Sequence, residues 1–140
     1  PPLINEVKKL ITHDCINIID APPGTSCPVV TTVGGSDYCI LVTEPTPFGL
    51  HDLDLAVQMT GKLGIPAGVV INRSDLGYGE VEDYCSKHEL PILLKIPFKR
   101  EIAKLYARGE PFVIAHPEWQ KQFLHLFEEV KNQAAGRSLT

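Results

Sequence analysis

Two short stretches of this chain carry residue types that could do chemistry. In Ile16-Asn17-Ile18-Ile19-Asp20-Ala21-Pro22-Pro23-Gly24-Thr25 an apolar run ends in a carboxylate, and a proline-stiffened turn follows at once. A short apolar run bounded by turn residues suits a strand covered on both faces of a parallel sheet. Asp20 would then stand at the C-terminal lip of that sheet, where open α/β folds bind their ligands. A carboxylate there either caps the next turn or holds the magnesium of a bound nucleotide, usually through water. The turn Pro22-Pro23-Gly24-Thr25 has a defined shape and backbone N–H groups that can face phosphate. The second stretch, Asn72-Arg73-Ser74-Asp75, also closes an apolar run. Its amide can both donate to and accept from a purine edge, and its carboxylate can take two N–H donors of guanine. Equally, an Asx turn could end the strand there, with Asp75 as its cap.

The elements that must position these residues follow from periodicity. Leu3, Val7, Leu10 and Ile11 have the spacing of a helix with one buried stripe. A strand ending at Asp20 comes next, then a short helix over 28–33 broken by Gly34-Gly35. Tyr38 to Thr43 reads as a second buried strand, followed by the stiff loop Glu44-Pro45-Thr46-Pro47-Phe48-Gly49. Leu50, Leu53, Val57 and Leu63 mark a helix that stops at Gly64. A third strand over 67–71, a helix over 80–88 and a fourth strand over 92–96 ending at Pro97 complete the alternation. Ile102, Leu105 and Tyr106 mark one further helix, and Trp119, Phe123, Leu126, Phe127 and Val130 the core-facing stripe of the last. Strands alternating with helices predict an α/β fold, a mostly parallel sheet with helices on both faces. All strand ends then share one edge, so Asp20, Thr43 with Glu44, Asn72 and Pro97 converge on one crevice.

Composition narrows the function classes. With 140 residues, 44% of them hydrophobic, the chain is the size of one domain with a genuine core. A net charge of -4 and the lack of a Lys/Arg cluster argue against a nucleic-acid surface. No apolar run reaches the roughly 18 residues of a membrane span. Cys15, Cys27, Cys39 and Cys85 form no Cys-x-x-Cys motif, and a reducing cytoplasmic setting fits them. His13, His51, His88, His116 and His125 show no metal-ligand spacing with any cysteine. The chain opens on Pro1-Pro2-Leu3 without Met, which is expected of a fragment. No Gly-x-x-x-x-Gly-Lys-Ser/Thr loop occurs, so this chain alone is not expected to hydrolyse a nucleotide.

Three ordered segments, Ile19 to Pro28, Leu41 to Leu53 and Gly64 to Arg73, resemble the MinD/ParA/Mrp group of P-loop ATPases. The resemblance is closest to MinD-superfamily members with an inserted ferredoxin domain, and it runs from about Leu3 to Val130. It implies a P-loop NTPase-like fold that is incomplete here, because the P-loop strand of that family would precede Pro1. Residues 1–135 would be the C-terminal part of a P-loop ATPase domain, and 136–140 a frayed tail.

Carried over by position, the resemblance implies ATP and Mg2+ as cofactors. Asp20 would be the catalytic, Walker-B-like partner of magnesium, and Pro22, Pro23, Gly24 and Thr25 the switch beside the γ-phosphate. Thr43, Asn72, Arg73, Pro97 and Phe98 would line the nucleotide, with Asn72 on the adenine amino group and Pro97 and Phe98 beside the base. Cys27 follows Asp20 by seven residues, as a cluster-ligating cysteine does in the related nitrogenase iron protein. A 4Fe-4S cluster would thus belong to the parent protein and not to this chain alone, since one cysteine per subunit is too few. A homodimer, or completion by the N-terminal segment, is the implied assembly. Two other readings compete: a non-catalytic scaffold of the same fold, and a GTP-binding fragment resting on Asn72 to Asp75.

Overall fold

The computed structural model describes residues 2–12 and 14–135. His13 and the tail expected to fray over 136–140 lie outside the described residues. The sheet has three parallel strands in the order β1-β2-β3: β1 Cys39–Thr43, β2 Ala67–Asn72 and β3 Ile92–Ile96. The connections are the long helix α3, Pro47–Leu63, between β1 and β2, and α4, Glu80–Lys87, between β2 and β3. Before the sheet come α1, Pro2–Lys8, and α2, Cys27–Val33. After it come α5, Arg100–Ala107, α6, Phe112–Ala115, and α7, Pro117–Ala135.

The central strand shows why the sheet is covered twice. Side chains alternate across a strand, so Val69 and Ile71 face one way and Val70 the other. Val69 and Ile71 pack with Leu41, with Leu53 of α3, and with Val81 and Cys85 of α4. Val70 packs with Leu94 of β3 and with Trp119 and Leu126 of α7. Phe123 and Val130 join that layer, giving α7 the apolar stripe its periodicity predicts; Phe127 lies outside it. Phe112 meets Trp119 edge-on, with ring centroids 5.7 Å apart. A third cluster, Val29, Val33 and Ile65, holds α2 against the end of α3, with Ala21 and Cys39 beside it.

The strand predicted over 16–20 does not form, so the sheet has three strands where four are expected. Residues 16–20 have no regular secondary structure and join no strand among the described residues, and Ile16 and Ile18 are 70% and 92% exposed. An apolar pattern specifies which faces a strand would bury, but a strand also needs a neighbour to bond its backbone, and none runs alongside it. β1 has the complementary deficit. Its outer edge bonds no other strand among the described residues, and Val42 is 68% exposed. The stripe expected on α1 is likewise unburied: Leu3 and Val7 are exposed.

Candidate functional site

At the C-terminal edge of the sheet, the β1–α3 turn is built by its own polar groups. Thr46 caps α3: its extended backbone lets the side-chain oxygen accept the N–H of Gly49 at 3.0 Å, and Pro47 opens the helix. Buried Thr43, at the end of β1, donates its hydroxyl to the carbonyl of Gly49 at 2.9 Å. Glycine is required at 49, because an added Cβ would run into the carbonyl oxygen of Glu44. Thr43, read from sequence as a nucleotide contact, thus turns its hydroxyl inward to fasten the turn.

The β2 and β3 ends interlock more extensively. Asn72 closes β2 in register with Ile96, half-buried, and its amide has no hydrogen-bond partner among the described residues. Arg73 then enters the left-handed region at φ 50 and ψ 43, a conformation that non-glycine residues adopt at a cost of about 1–2 kcal/mol. That turn launches a short 3-10 helix, Ser74–Leu76. The Arg73 guanidinium lies over the Phe98 ring, 5.1 Å from its centroid, and within 3.6 Å of the Glu44 carboxylate. Asp75 accepts the backbone N–H of Phe98 at 2.7 Å. Glu44, Arg73, Asp75 and Phe98 therefore tie the loops after all three strands into one rim, with half-buried Pro97 beside Phe98. Asn72, Arg73, Pro97 and Phe98 follow apolar runs and so belong at this edge, but the ion pair of Glu44 and the bond from Phe98 to Asp75 leave no mark in the sequence. Only the Asx-turn reading of Asp75, in which its carboxylate serves backbone, pointed that way.

Asp20 borders a cavity of about 240 Å³ with Leu3, Val7 and Lys8 of α1, with Ile19 and Pro22, and with Thr32 of α2. None of that lining comes from the β1, β2 or β3 ends. The carboxylate is exposed and, among the described residues, makes no hydrogen bond or ion pair. The strand expected to end at Asp20 is absent among the described residues. The chain bends over residues 23–26, with Gly24 at φ 90. It leads into α2 through Ser26, and Cys27 is exposed at the first turn of that helix.

Of the other thiols Cys15 is exposed, while burial pushes the Cys39 and Cys85 thiols up and away from the nucleophilic thiolate. Among the described residues no cluster of three or more His, Cys, Asp or Glu could hold a metal ion. None of the described helices is long and apolar enough to cross a membrane.

Comparison with known proteins agrees with this fold. A MinD cell division protein of Aquifex aeolicus superposes with a TM-score of 0.65, covering 99% of this chain and 58% of that one at 19% identity. That likeness speaks for the fold. An uncharacterized protein of Methanocaldococcus jannaschii is 36% identical over 113 residues, which is 79% of this chain and 39% of that protein. An iron-sulfur cluster carrier protein of Aquifex aeolicus is 32% identical over 126 residues, 78% of this chain and 35% of its own length. The chain thus spans less than half the length of either relative. The sequence model of ParA-type NUBPL iron-transfer P-loop NTPases matches residues 12–134, nearly the whole chain, and the protein belongs to that family.

Proposed function

We propose that this chain is the C-terminal part of an ATP-binding iron–sulfur carrier protein, supplying the base side of a nucleotide site and the carboxylate that organises its magnesium. The observation that carries the reading is the rim at the sheet edge, where Arg73 and Phe98 stack and the Asn72 amide has no protein partner. An amide at a strand end can accept from and donate to the adenine edge, and a planar ring beside it offers a stacking surface.

Asp20, with its carboxylate unengaged, fits the outer role of holding a nucleotide's magnesium through water. It does not make a metal site by itself, in keeping with the lack of a ligand cluster among the described residues. Pro22 to Thr25 form the adjoining turn that would follow the terminal phosphate. The phosphate cradle, a glycine-rich loop with its lysine, would come from a strand inserted between residues 16–20 and β1. Both stretches have backbone edges that bond no strand among the described residues. Such a strand would bring Asp20 to the lip of the same sheet as Asn72.

The iron–sulfur cluster enters as cargo. Cys27, exposed seven residues after Asp20, is the thiol placed to sense or meet it, paired with its counterpart in a homodimer. The cytoplasm, where thiols stay reduced, suits such a carrier.

The test is nucleotide binding to the full-length protein, read by titration of a fluorescent ATP analogue. Asn72→Ala should weaken binding about tenfold, the loss expected when one buried hydrogen-bonding group goes. Unchanged affinity would remove Asn72 from the base pocket, and no binding by the wild type would overturn the reading.

A further inference from the structure

We propose that the face formed by α5, α6 and the first turns of α7 docks an acidic segment of a partner protein, one that brings an apolar side chain as its anchor. The nucleotide site plays no part in this inference.

The cations of α5 sit where they work against the helix. Arg100, Lys104 and Arg108 recur at intervals of four, so they stack on one side of it, and Arg108 keeps helical backbone at the C-cap. Like charges stacked in this way repel one another. Lys99 and Arg100, at the N-terminal end, also oppose the helix dipole. All four are exposed, and their side chains make no ion pair or hydrogen bond among the described residues. Glu101, the one acid of α5, is drawn aside: its carboxylate lies 3.6 Å from His116 Nε2, and that of Glu118 lies 3.4 Å from His116 Nδ1. Residues 99–121 hold five Lys and Arg against three Glu, the reverse of the whole chain at net charge -4. The three cations at intervals of four become neighbours only once the helix is wound.

The row leads to an apolar hollow. Gly109, at φ 70, turns the chain out of α5. Pro111, Phe112, Val113, Gln120, Phe123 and Leu124 then line an open hollow of about 430 Å³, in which only Gln120 is polar. This part of α7 lies on the β3 side of the sheet, where Trp119 packs with Leu94, and only its far end reaches Tyr38, ahead of β1, through Gln133. A strand added beside β1 would therefore leave the hollow uncovered.

Charge and shape together select the occupant. Carboxylates of a partner would neutralise the row, and an aromatic or aliphatic side chain would fill the hollow. Duplex DNA can pair phosphates with the row but has nothing to place in the hollow. An anionic bilayer needs large apolar side chains beside the cations, where α5 has Ala103 and Ala107.

Full-length protein would be titrated by anisotropy with a fluorescein-labelled peptide, Glu-Glu-Phe-Glu-Glu-Leu-Glu-Glu. Saturable binding tighter than about 0.1 mM is expected at low salt, weakening about tenfold by about 0.3 M salt. Reversing the row, with Arg100→Glu, Lys104→Glu and Arg108→Glu together, should weaken binding at least about thirtyfold. Lys62→Glu with Lys87→Glu, the same kind of change on α3 and α4, should leave binding nearly unchanged. Leu124→Ser, or a peptide with Ser in place of Phe and Leu, should bind about three- to tenfold more weakly. These two arms decide the matter if the reversed row fails to match the wild-type urea midpoint. No saturation by about 1 mM peptide, or equal losses from the row and from Lys62 with Lys87, would overturn the proposal. So would tighter, row-dependent binding of phosphatidylserine vesicles or of duplex DNA. Each of these results leaves the nucleotide reading standing.

Discussion

Ile71 and Val42 make a paired test of the three-stranded sheet. Ile71 is 1% exposed, on the central strand one residue before Asn72, packed on the layer that contains Leu53 and Val81. Ile71→Ala removes three carbons, worth about 2.4 kcal/mol at about 0.8 kcal/mol per buried methylene. The cavity left behind raises the total to about 3–5 kcal/mol. For a chain of this size that is a fall in Tm of about 10–18 °C. Val42, opposite Val70 on β1 and 68% exposed, should cost less than about 0.5 kcal/mol as Val42→Ala. Urea unfolding of the 140-residue chain can be followed at its single tryptophan, Trp119, which is buried against Phe112 and Phe123. The expected result is a large drop in midpoint for Ile71→Ala and almost none for Val42→Ala, with an unchanged denaturant slope. Equal damage from the two would mean that the outer edge of β1 is covered in this chain, and the sheet description would be wrong. In the full-length protein, a strand inserted beside β1 would make Val42→Ala costly, so the same pair also probes the proposed completion.

Two further expectations concern the turns and layers. Gly49→Ala should destabilise the chain by about 1–2 kcal/mol despite the helix preference for alanine, because the new methyl meets the Glu44 carbonyl; a more stable variant in urea unfolding would show that the β1–α3 turn is looser than described. The Tyr38 hydroxyl donates to Gln133 at 2.7 Å, and burial first, then the charges of Glu129 and Cys39, push its pKa up to about 12. The fold therefore favours the protonated phenol relative to the unfolded chain, where it titrates near 10. The stability this gives is intact below about pH 10 and is lost as pH climbs toward 12. Urea midpoints should fall across that window, and Tyr38→Phe should flatten the fall; an unchanged slope in Tyr38→Phe would reject Tyr38 as its source.

Much of this architecture is legible in local periodicity. The alternation of Val69, Val70 and Ile71, the stop at Gly64 and the spacing of Trp119, Phe123, Leu126 and Val130 each encode a local period, and each forms the element expected. Two small elements, the turn over 74–76 and α6, escaped because they are too short to show a period. The run over 16–20 misled for the opposite reason: it has a strand's composition, but composition says nothing of the neighbour a strand must bond. At the site, Asn72, Arg73, Pro97 and Phe98 could be placed together because parallel strands end on one edge. The ion pair of Glu44 with Arg73 and the bond from Phe98 to Asp75 could not, since each joins residues more than twenty positions apart.

Side-chain type and spacing along the chain are enough to specify the αβ alternation, the buried central strand and the polar residues that close each strand. The bond of Thr43 to the Gly49 carbonyl, the bond from Phe98 to Asp75 and the cavity that Asp20 shares with α1 come from the tertiary fold alone. Those outcomes are set by which backbone groups meet across distant segments, and hydrogen-bond partners at such separations leave no periodic mark in the order of residues.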